Sequence, residues 1–126
     1  MKPQICTTVE QSKKLAEILP IESVDMHYMH TEFQHQKVDI LKLGPALEGD
    51  ICETPAWSLA TLLEFLPSQI TDDEGDDYFL KIYKEDEQYY LIYTYEESPD
   101  IKTSSYDSLI DACYEMILML KEKNLL

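Results

Sequence analysis

The 126-residue chain contains 25 acidic residues, 10 lysines and no arginine, and its formal net charge is −15. Guanidinium groups bind phosphate and carboxylate through paired hydrogen bonds, so this chain lacks the side chain best suited to nucleotides, nucleic acid backbones and acidic metabolites. Its negative field repels polyanions and attracts basic surfaces. We therefore expect no direct binding of nucleic acid.

The length and the apolar content of 44% suffice for one hydrophobic core, so we expect a single domain over residues 1–126. The first six residues carry no apolar run of signal-peptide length, and no segment approaches the ~20 apolar residues of a membrane span. We expect a soluble cytoplasmic protein. Cys6, Cys52 and Cys113 are odd in number and widely spaced, which predicts free thiols rather than a disulfide framework or a metal knuckle.

The first half of the chain predicts a helix followed by a hairpin. Thr7 and Glu10 have the spacing of a capping box, and the apolar pattern that follows ends at Pro20, which indicates a helix of about three turns. Residues 24–29 and 37–43 have strand composition, and the polar residues 30–36 between them predict a long loop.

The second half repeats this order and adds a closing helix. Thr54 is the expected N-cap of a mostly buried helix that has Pro55 at its first position and continues over residues 56–66. After an acidic loop at residues 71–77, we expect two antiparallel strands at 78–84 and 88–95. A last helix is predicted from between Ser105 and Ser108 to about Lys123, with charges that complement its dipole.

Residues 15–20 resemble residues 62–67, and a predicted hairpin follows each of these segments. The similarity is either an internal repeat or the result of two leucine-rich helices that both end at proline. In both cases we expect an α+β domain in the order α-β-β-α-β-β-α. Its antiparallel sheet would have about four strands, with the helices packed mainly on one face.

Four blocks spread over nearly the whole chain carry a family resemblance. They are Thr7-Thr8-Val9-Glu10-Gln11-Ser12-Lys13-Lys14-Leu15, Val24-Asp25-Met26, Pro55-Ala56-Trp57-Ser58-Leu59 and Asp111-Ala112-Cys113-Tyr114-Glu115-Met116-Ile117. They resemble recurring blocks in a family of short, acidic, uncharacterised proteins of gut Bacteroidales genomes, often encoded in mobile or phage-derived regions. The resemblance implies this genomic setting and no activity.

The sequence predicts no catalytic, cofactor-binding or metal site. His27 and His30 lie three residues apart in a predicted strand and so point to opposite faces, which argues against a shared metal. The acidic loop lacks the spacing of an EF-hand. A reactive thiolate needs an electropositive setting, and three glycines cannot build a phosphate-binding loop. We therefore expect a protein that is not an enzyme and has no cofactor.

The second predicted hairpin is rich in tyrosine and lies within the most acidic part of the chain. Between Asp72 and Asp100 there are 11 acidic residues and two lysines, a balance of −9. Tyrosine is enriched in protein interfaces, although tyrosines on neighbouring strands can also simply cover a hydrophobic face. The predicted partner-binding residues are Asp72, Asp73, Glu74, Asp76, Asp77, Tyr83, Glu85, Asp86, Glu87 and Tyr90.

Two functions follow from these observations. In the first, the acidic, tyrosine-rich hairpin binds a basic protein, as a nucleic-acid mimic, an inhibitor or an immunity protein does. In the second, the chain is an oligomeric structural or accessory protein whose charge maintains solubility. Salt distinguishes them, because a complex steered by charge weakens as the Debye length shortens, whereas apolar self-association does not.

Overall fold

The computed structural model describes residues 4–44, 53–95 and 98–126, with residues 98–100 described by their backbone. These parts contain three α-helices and seven strands arranged as two antiparallel sheets, which confirms the α+β class. The described residues form two compact units, one of Ile5–Thr61 and one of Leu62–Leu126 together with Gln4, which we describe in turn. The single domain over residues 1–126 stays a prediction. Within the described parts, no helix combines the length and apolar composition that a membrane crossing requires.

The first unit is a three-stranded antiparallel sheet with one short helix before it. Strand β1 lies between β2 and β3. The elements are α1 (Val9–Leu15), a 3-10 turn (Ile21–Ser23), β1 (Met26–Phe33), β2 (Gln36–Leu43), β3 (Glu53–Ala56) and the start of α2 (Leu59–Phe65).

Helix α1 begins one residue later than predicted. Thr8, not Thr7, is the N-cap, and Thr8 and Gln11 form the capping box. The Thr7 hydroxyl is fully buried, where it accepts a hydrogen bond from the Trp57 backbone and contacts the Ser12 hydroxyl. This tertiary contact occupies Thr7, so the neighbouring threonine caps the helix.

The predicted long loop in the first hairpin is wrong, because β1 and β2 are joined by a two-residue turn. Gln34 and His35 form it with φ values of 50° and 65°. Such a turn matches the twist of a hairpin but usually contains asparagine or glycine, which tolerate positive φ. The sequence signal for a tight turn was therefore missing.

The predicted start of the second helix is also wrong. Thr54 and Pro55 lie in β3, which pairs with β1, and α2 begins at Leu59. Ser58 is the residue before the helix, and its Oγ accepts a hydrogen bond from the Thr61 backbone at 3.4 Å. Proline is compatible with an edge strand as well as with a helix start, so the Thr-Pro signal was ambiguous.

The second unit contains a four-stranded antiparallel sheet in the order β4-β5-β6-β7. Its elements are β4 (Gln69–Thr71), β5 (Asp77–Glu85), β6 (Gln88–Tyr95), β7 (Ser98–Lys102) and α3 (Leu109–Glu122). The pairing of β5 with β6 confirms the predicted second hairpin, and α3 confirms the last helix. Asp86 and Glu87 form a two-residue turn with φ values of 51° and 61°.

Helix α3 packs against β6 and supplies much of the core of this unit. The side chains that it buries are Ile110, Ala112, Cys113, Met116, Ile117 and Leu120. On the sheet, Leu91 and Tyr93 are fully buried and Ile101 is nearly so. The four main predicted strands thus form one hairpin in each sheet, and the unpredicted short strands β3, β4 and β7 complete the sheets.

Candidate functional site

The predicted partner-binding residues fall into two acidic groups at opposite ends of β5. The acidic loop, residues 72–77, leads into the first residue of the strand, and the acidic turn, residues 85–87, starts at its last residue. Asp77 and Glu85 are separated by eight residues, which corresponds to about 26 Å in an extended strand. The ten residues therefore do not form one continuous acidic patch.

Between these acidic groups lies a surface that we call the aromatic face, formed by Phe79, Tyr83, Tyr90 and Ile92. Alternation along β5 and the pairing of Tyr83 with Tyr90 place these residues on one side of the sheet. Phe79 is 50% exposed and Tyr83 is 40% exposed. The rings of Tyr83 and Tyr90 stack with their centroids 5.2 Å apart.

Two lysines lie beside the middle of the aromatic face. The Lys102 Nζ lies 4.8 Å from the centroid of the Tyr90 ring, a cation–π distance. Lys81 is paired with Ile92, also in the middle of the face. The negative charge that the sequence places in this hairpin is thus concentrated at its two ends.

The opposite side of the same strands forms the core. Tyr93 is fully buried, and its hydroxyl donates a 2.6 Å hydrogen bond to the Pro67 carbonyl. Burial raises the pKa of the Tyr93 hydroxyl, so it remains a neutral donor. Among the tyrosines of this hairpin, Tyr93 fills the core and Tyr83 is exposed.

The acidic loop is organised by the carboxylate of Asp72. Its Oδ1 accepts backbone hydrogen bonds from Glu74 and Asp76, and its Oδ2 accepts one from the Tyr78 hydroxyl at 3.2 Å. Carboxylate oxygens of Asp72, Glu74 and Asp76 lie within 4.8 Å of one another, a set that could hold a hard cation such as Ca²⁺. Exposed acidic turns commonly have this geometry without a cation, so a loop without a metal stays our prediction.

A shallow cleft of about 250 Å³ adjoins this loop. Ile70, Tyr78, Ile101 and Leu125 supply most of its apolar lining. Sites for small organic ligands usually enclose about 300–1,000 Å³ and cover most of the ligand. This cleft is smaller than that range, and we assign no ligand to it.

His27 and His30 lie on opposite faces of β1, as their spacing predicts. His30 lies between Asp39 and Thr54, with its Nδ1 2.6 Å from the Asp39 carboxylate and its Nε2 in contact with the Thr54 hydroxyl. His27 lies on the other face, where its Nδ1 is 2.8 Å from the Gly44 carbonyl. Sequence reasoning missed these contacts because the strand register that brings them together is not encoded in a local motif.

The order Asp39, His30, Thr54 is that of a catalytic triad, in which a carboxylate orients a histidine beside a hydroxyl. The position of Thr54 argues against this role, because the residue is only 8% exposed and lies on β3, where it is paired with Tyr28 of β1. A nucleophile must be reached by its substrate. We therefore interpret this arrangement as a hydrogen-bonded link across the three strands of the sheet.

The two described thiols are also poor nucleophiles. Cys6 and Cys113 are buried and free. Burial raises the pKa of the Cys113 thiol to about 12 and also raises the pKa of Cys6. Thiols with such pKa values carry little thiolate at neutral pH. Cys52 lies outside the described residues.

Two of the blocks that carry the family resemblance meet in the first unit. Asp25 accepts hydrogen bonds from the Ser58 backbone at 2.9 Å, from the Ser58 hydroxyl, and from the Thr61 hydroxyl at 3.0 Å. Burial would raise the pKa of the Asp25 carboxyl, but these hydrogen bonds together lower it below its ordinary value. The adjacent Trp57 is fully buried and donates to the Ser23 hydroxyl. These contacts give both blocks a structural role.

Comparison of the chain with family models, curated proteins and solved structures found no match. The resemblance to the acidic Bacteroidales proteins therefore stays a prediction. The geometry of the two units is the remaining guide to function.

Proposed function

We propose that this protein is a non-enzymatic, cytoplasmic interaction module that binds a basic partner protein through the aromatic face. The observation that supports the proposal is the exposure of Phe79 and Tyr83, at 50% and 40%, on the side of the sheet opposite the core. Folding gains nothing from aromatic surface that remains in water. A partner that covers these rings would gain the hydrophobic free energy that the fold leaves unused.

The stacked pair of Tyr83 and Tyr90 would serve as the anchor of this interface. Its rings already hold each other in place, so little side-chain entropy would be lost on binding. Buried tyrosines are frequent interface hot spots, whose truncation typically costs 2 kcal/mol or more. The aromatic face thus supplies affinity.

The acidic loop and the acidic turn would supply charge complementarity at the ends of the same interface. A standard interface of about 800 Å² per partner is roughly 30 Å across, which is close to the 26 Å length of β5 between the two acidic groups. Charges on the rim mainly accelerate association and select the partner. A partner with basic groups on both sides of an apolar patch fits this arrangement.

Parallel capture experiments on a lysate of the source organism would test the proposal. The baits are the wild-type protein, the double variant Phe79→Ser/Tyr83→Ser, and Phe33→Ser, which removes an exposed aromatic ring from the other sheet. We expect a basic protein that wild type and Phe33→Ser retain and the double variant loses. With that protein purified, the double variant should bind at least roughly 30-fold more weakly than wild type.

Salt titration and charge variants test whether the acidic loop and the acidic turn contribute to binding. The affinity of the purified pair should fall steeply between low and high sodium chloride, because the Debye length shortens from about 30 Å at 0.01 M to about 3 Å at 1 M. Replacing the three acids of the turn by their amides should reduce this salt dependence. If the double variant binds as tightly as wild type, the aromatic face is not the binding surface.

A further inference from the structure

The far half of the first hairpin is a two-stranded ribbon with exposed apolar side chains. Strand β3 pairs only with Met26–Met29 of β1, and residues 31–40 are all exposed. Phe33, Val38 and Ile40 lie on one face of this ribbon and are 66%, 37% and 40% exposed. A two-stranded ribbon is only marginally stable in water, so a further strand along it would be favourable.

Within the described residues both edges of this ribbon are unpaired, and the edge of β2 is the longer, because β3 pairs with β1 over Met26–Met29. The hydrogen-bonding phase of the β2 edge can be derived. A two-residue turn is closed by a hydrogen-bonded pair, here Phe33 and Gln36, and bonding residues then alternate along each strand. The even-numbered residues of β2 therefore bond to β1. The amide of Gly44, also an even-numbered residue, donates to the Asp25 carbonyl at 2.9 Å, which agrees with this alternation.

The odd-numbered residues Lys37, Asp39 and Leu41 consequently direct their N–H and C=O groups away from β1. No strand pairs with them within residues 4–44, 53–95 and 98–126. A row of unpaired backbone groups is a template for another strand. Lys37 and Asp39 carry opposite charges on either side of Val38. This charge pattern is complementary to itself when two copies of the strand run antiparallel, which indicates a second copy of β2 as the pairing strand.

We propose that β2 pairs antiparallel with β2 of a second copy of this chain, about a two-fold axis at Val38. In this register Lys37 of each copy lies opposite Asp39 of the other. Both residues direct their backbone groups away from β1, so each Lys37–Asp39 pair can form N–H···O=C hydrogen bonds between the two copies. The Val38 side chains meet at the axis. The Asp39 side chain contacts His30 at 2.6 Å through Oδ1 and is 51% exposed, so a lysine of the second copy can reach it.

Neighbouring registers are less favourable. An axis at Asp39 would place two carboxylates directly opposite each other, which is destabilising. An axis at Ile40 would place Lys42 beside Val38 and Asp39 beside Leu41, without any charge pair. The opposite charges flanking Val38 therefore favour both a second copy of β2 as the pairing strand and the register with its axis at Val38.

Sedimentation velocity over roughly a hundredfold range of protein concentration would test the dimer. Wild type should shift from monomer to dimer. Lys37→Pro removes one outward N–H that β1 does not use, so it should abolish the dimer while circular dichroism of the monomer stays unchanged. Lys37→Glu keeps that N–H but places like charges opposite each other, and it should weaken the dimer about tenfold.

Lys42→Glu is the matched control, because it changes the charge of the same strand by the same amount outside the paired segment. It should dimerise like wild type. A wild-type protein that remains monomeric at every concentration would overturn the proposal, as would a Lys37→Pro variant that dimerises normally. Equal weakening by Lys37→Glu and Lys42→Glu would reject the register at Val38, because the effect would then follow net charge alone.

Discussion

Asp25 is the side chain whose removal we expect to destabilise the first unit most clearly among its polar residues. Its carboxylate accepts three hydrogen bonds from Ser58 and Thr61 at the start of α2. The variant Asp25→Ala leaves all three donors without this acceptor. Since α2 has only seven residues, it depends strongly on its N-terminal contacts.

The magnitude follows from the number and kind of these bonds. A hydrogen bond to a charged group contributes about 1.5–3 kcal/mol, and the three share one half-buried carboxylate, so their contributions do not add. Water can also reach part of the site in the variant. We expect a loss of about 2–3 kcal/mol in the free energy of unfolding and roughly 8–12 °C in Tm.

The pH dependence provides an independent measurement. The pKa of Asp25 in the folded protein is below its ordinary value of 3.8, so the unfolded chain takes up the proton first as the pH falls. The stabilisation is therefore complete well above pH 3.8 and is lost as the pH falls through the folded pKa. Urea unfolding of wild type and Asp25→Ala should show a constant difference near neutral pH and a shrinking difference in acid.

Asp73→Ala is the control, because Asp73 is exposed and its removal changes the net charge equally. In so acidic a protein, this loss of charge should leave the stability unchanged or slightly increase it. If the free energies of unfolding of Asp25→Ala and Asp73→Ala differ by less than about 0.5 kcal/mol, the range of ordinary surface substitutions, the Asp25 hydrogen bonds do not stabilise the start of α2.

Three further predictions concern other parts of the molecule. Glu87→Gly should stabilise the protein by about 1 kcal/mol in urea unfolding, since it relieves a positive φ of 61° in the acidic turn; an unchanged midpoint would contradict this. Raising sodium chloride from low concentration to about 0.2 M should increase stability by about 1 kcal/mol, because screening reduces repulsion in a chain of net charge −15; a flat or falling melting temperature would show that the acids are paired. Iodoacetamide should modify Cys6 and Cys113 only as fast as the protein unfolds, measured by peptide mass spectrometry, because both thiols are buried and have raised pKa values; rapid labelling of native protein would contradict this.

The sequence predicted elements well where local signals agreed with tertiary packing. The hairpin of β5 and β6 and helix α3 were predicted correctly because strand composition, charge placement and apolar pattern all indicated the same element. At Thr54 and Pro55 a helix-start signal competed with strand pairing, and pairing with β1 won. The tight turn at Gln34 was missed because its residues are unusual for positive φ.

The candidate site was predictable in composition but not in arrangement. Alternation along β6 places Tyr90 and the buried Tyr93 on opposite sides, but only the strand register puts the exposed Tyr83 beside Tyr90. The distance between the acidic loop and the acidic turn required knowing that β5 continues without interruption between them. The link from His30 to Asp39 and Thr54 depends on registers set by two separate strand pairings, which a single sequence does not reveal.

The contact between Asp25 and Ser58 has a consequence for the order of folding. The two residues are separated by 33 positions, so the N-terminal contacts of α2 are completed only after the chain around β1 has reached its native place. A seven-residue helix cannot persist without such contacts. Native-state hydrogen exchange should therefore show the amides of Ser58 and Thr61, at the start of α2, opening together with those of β1.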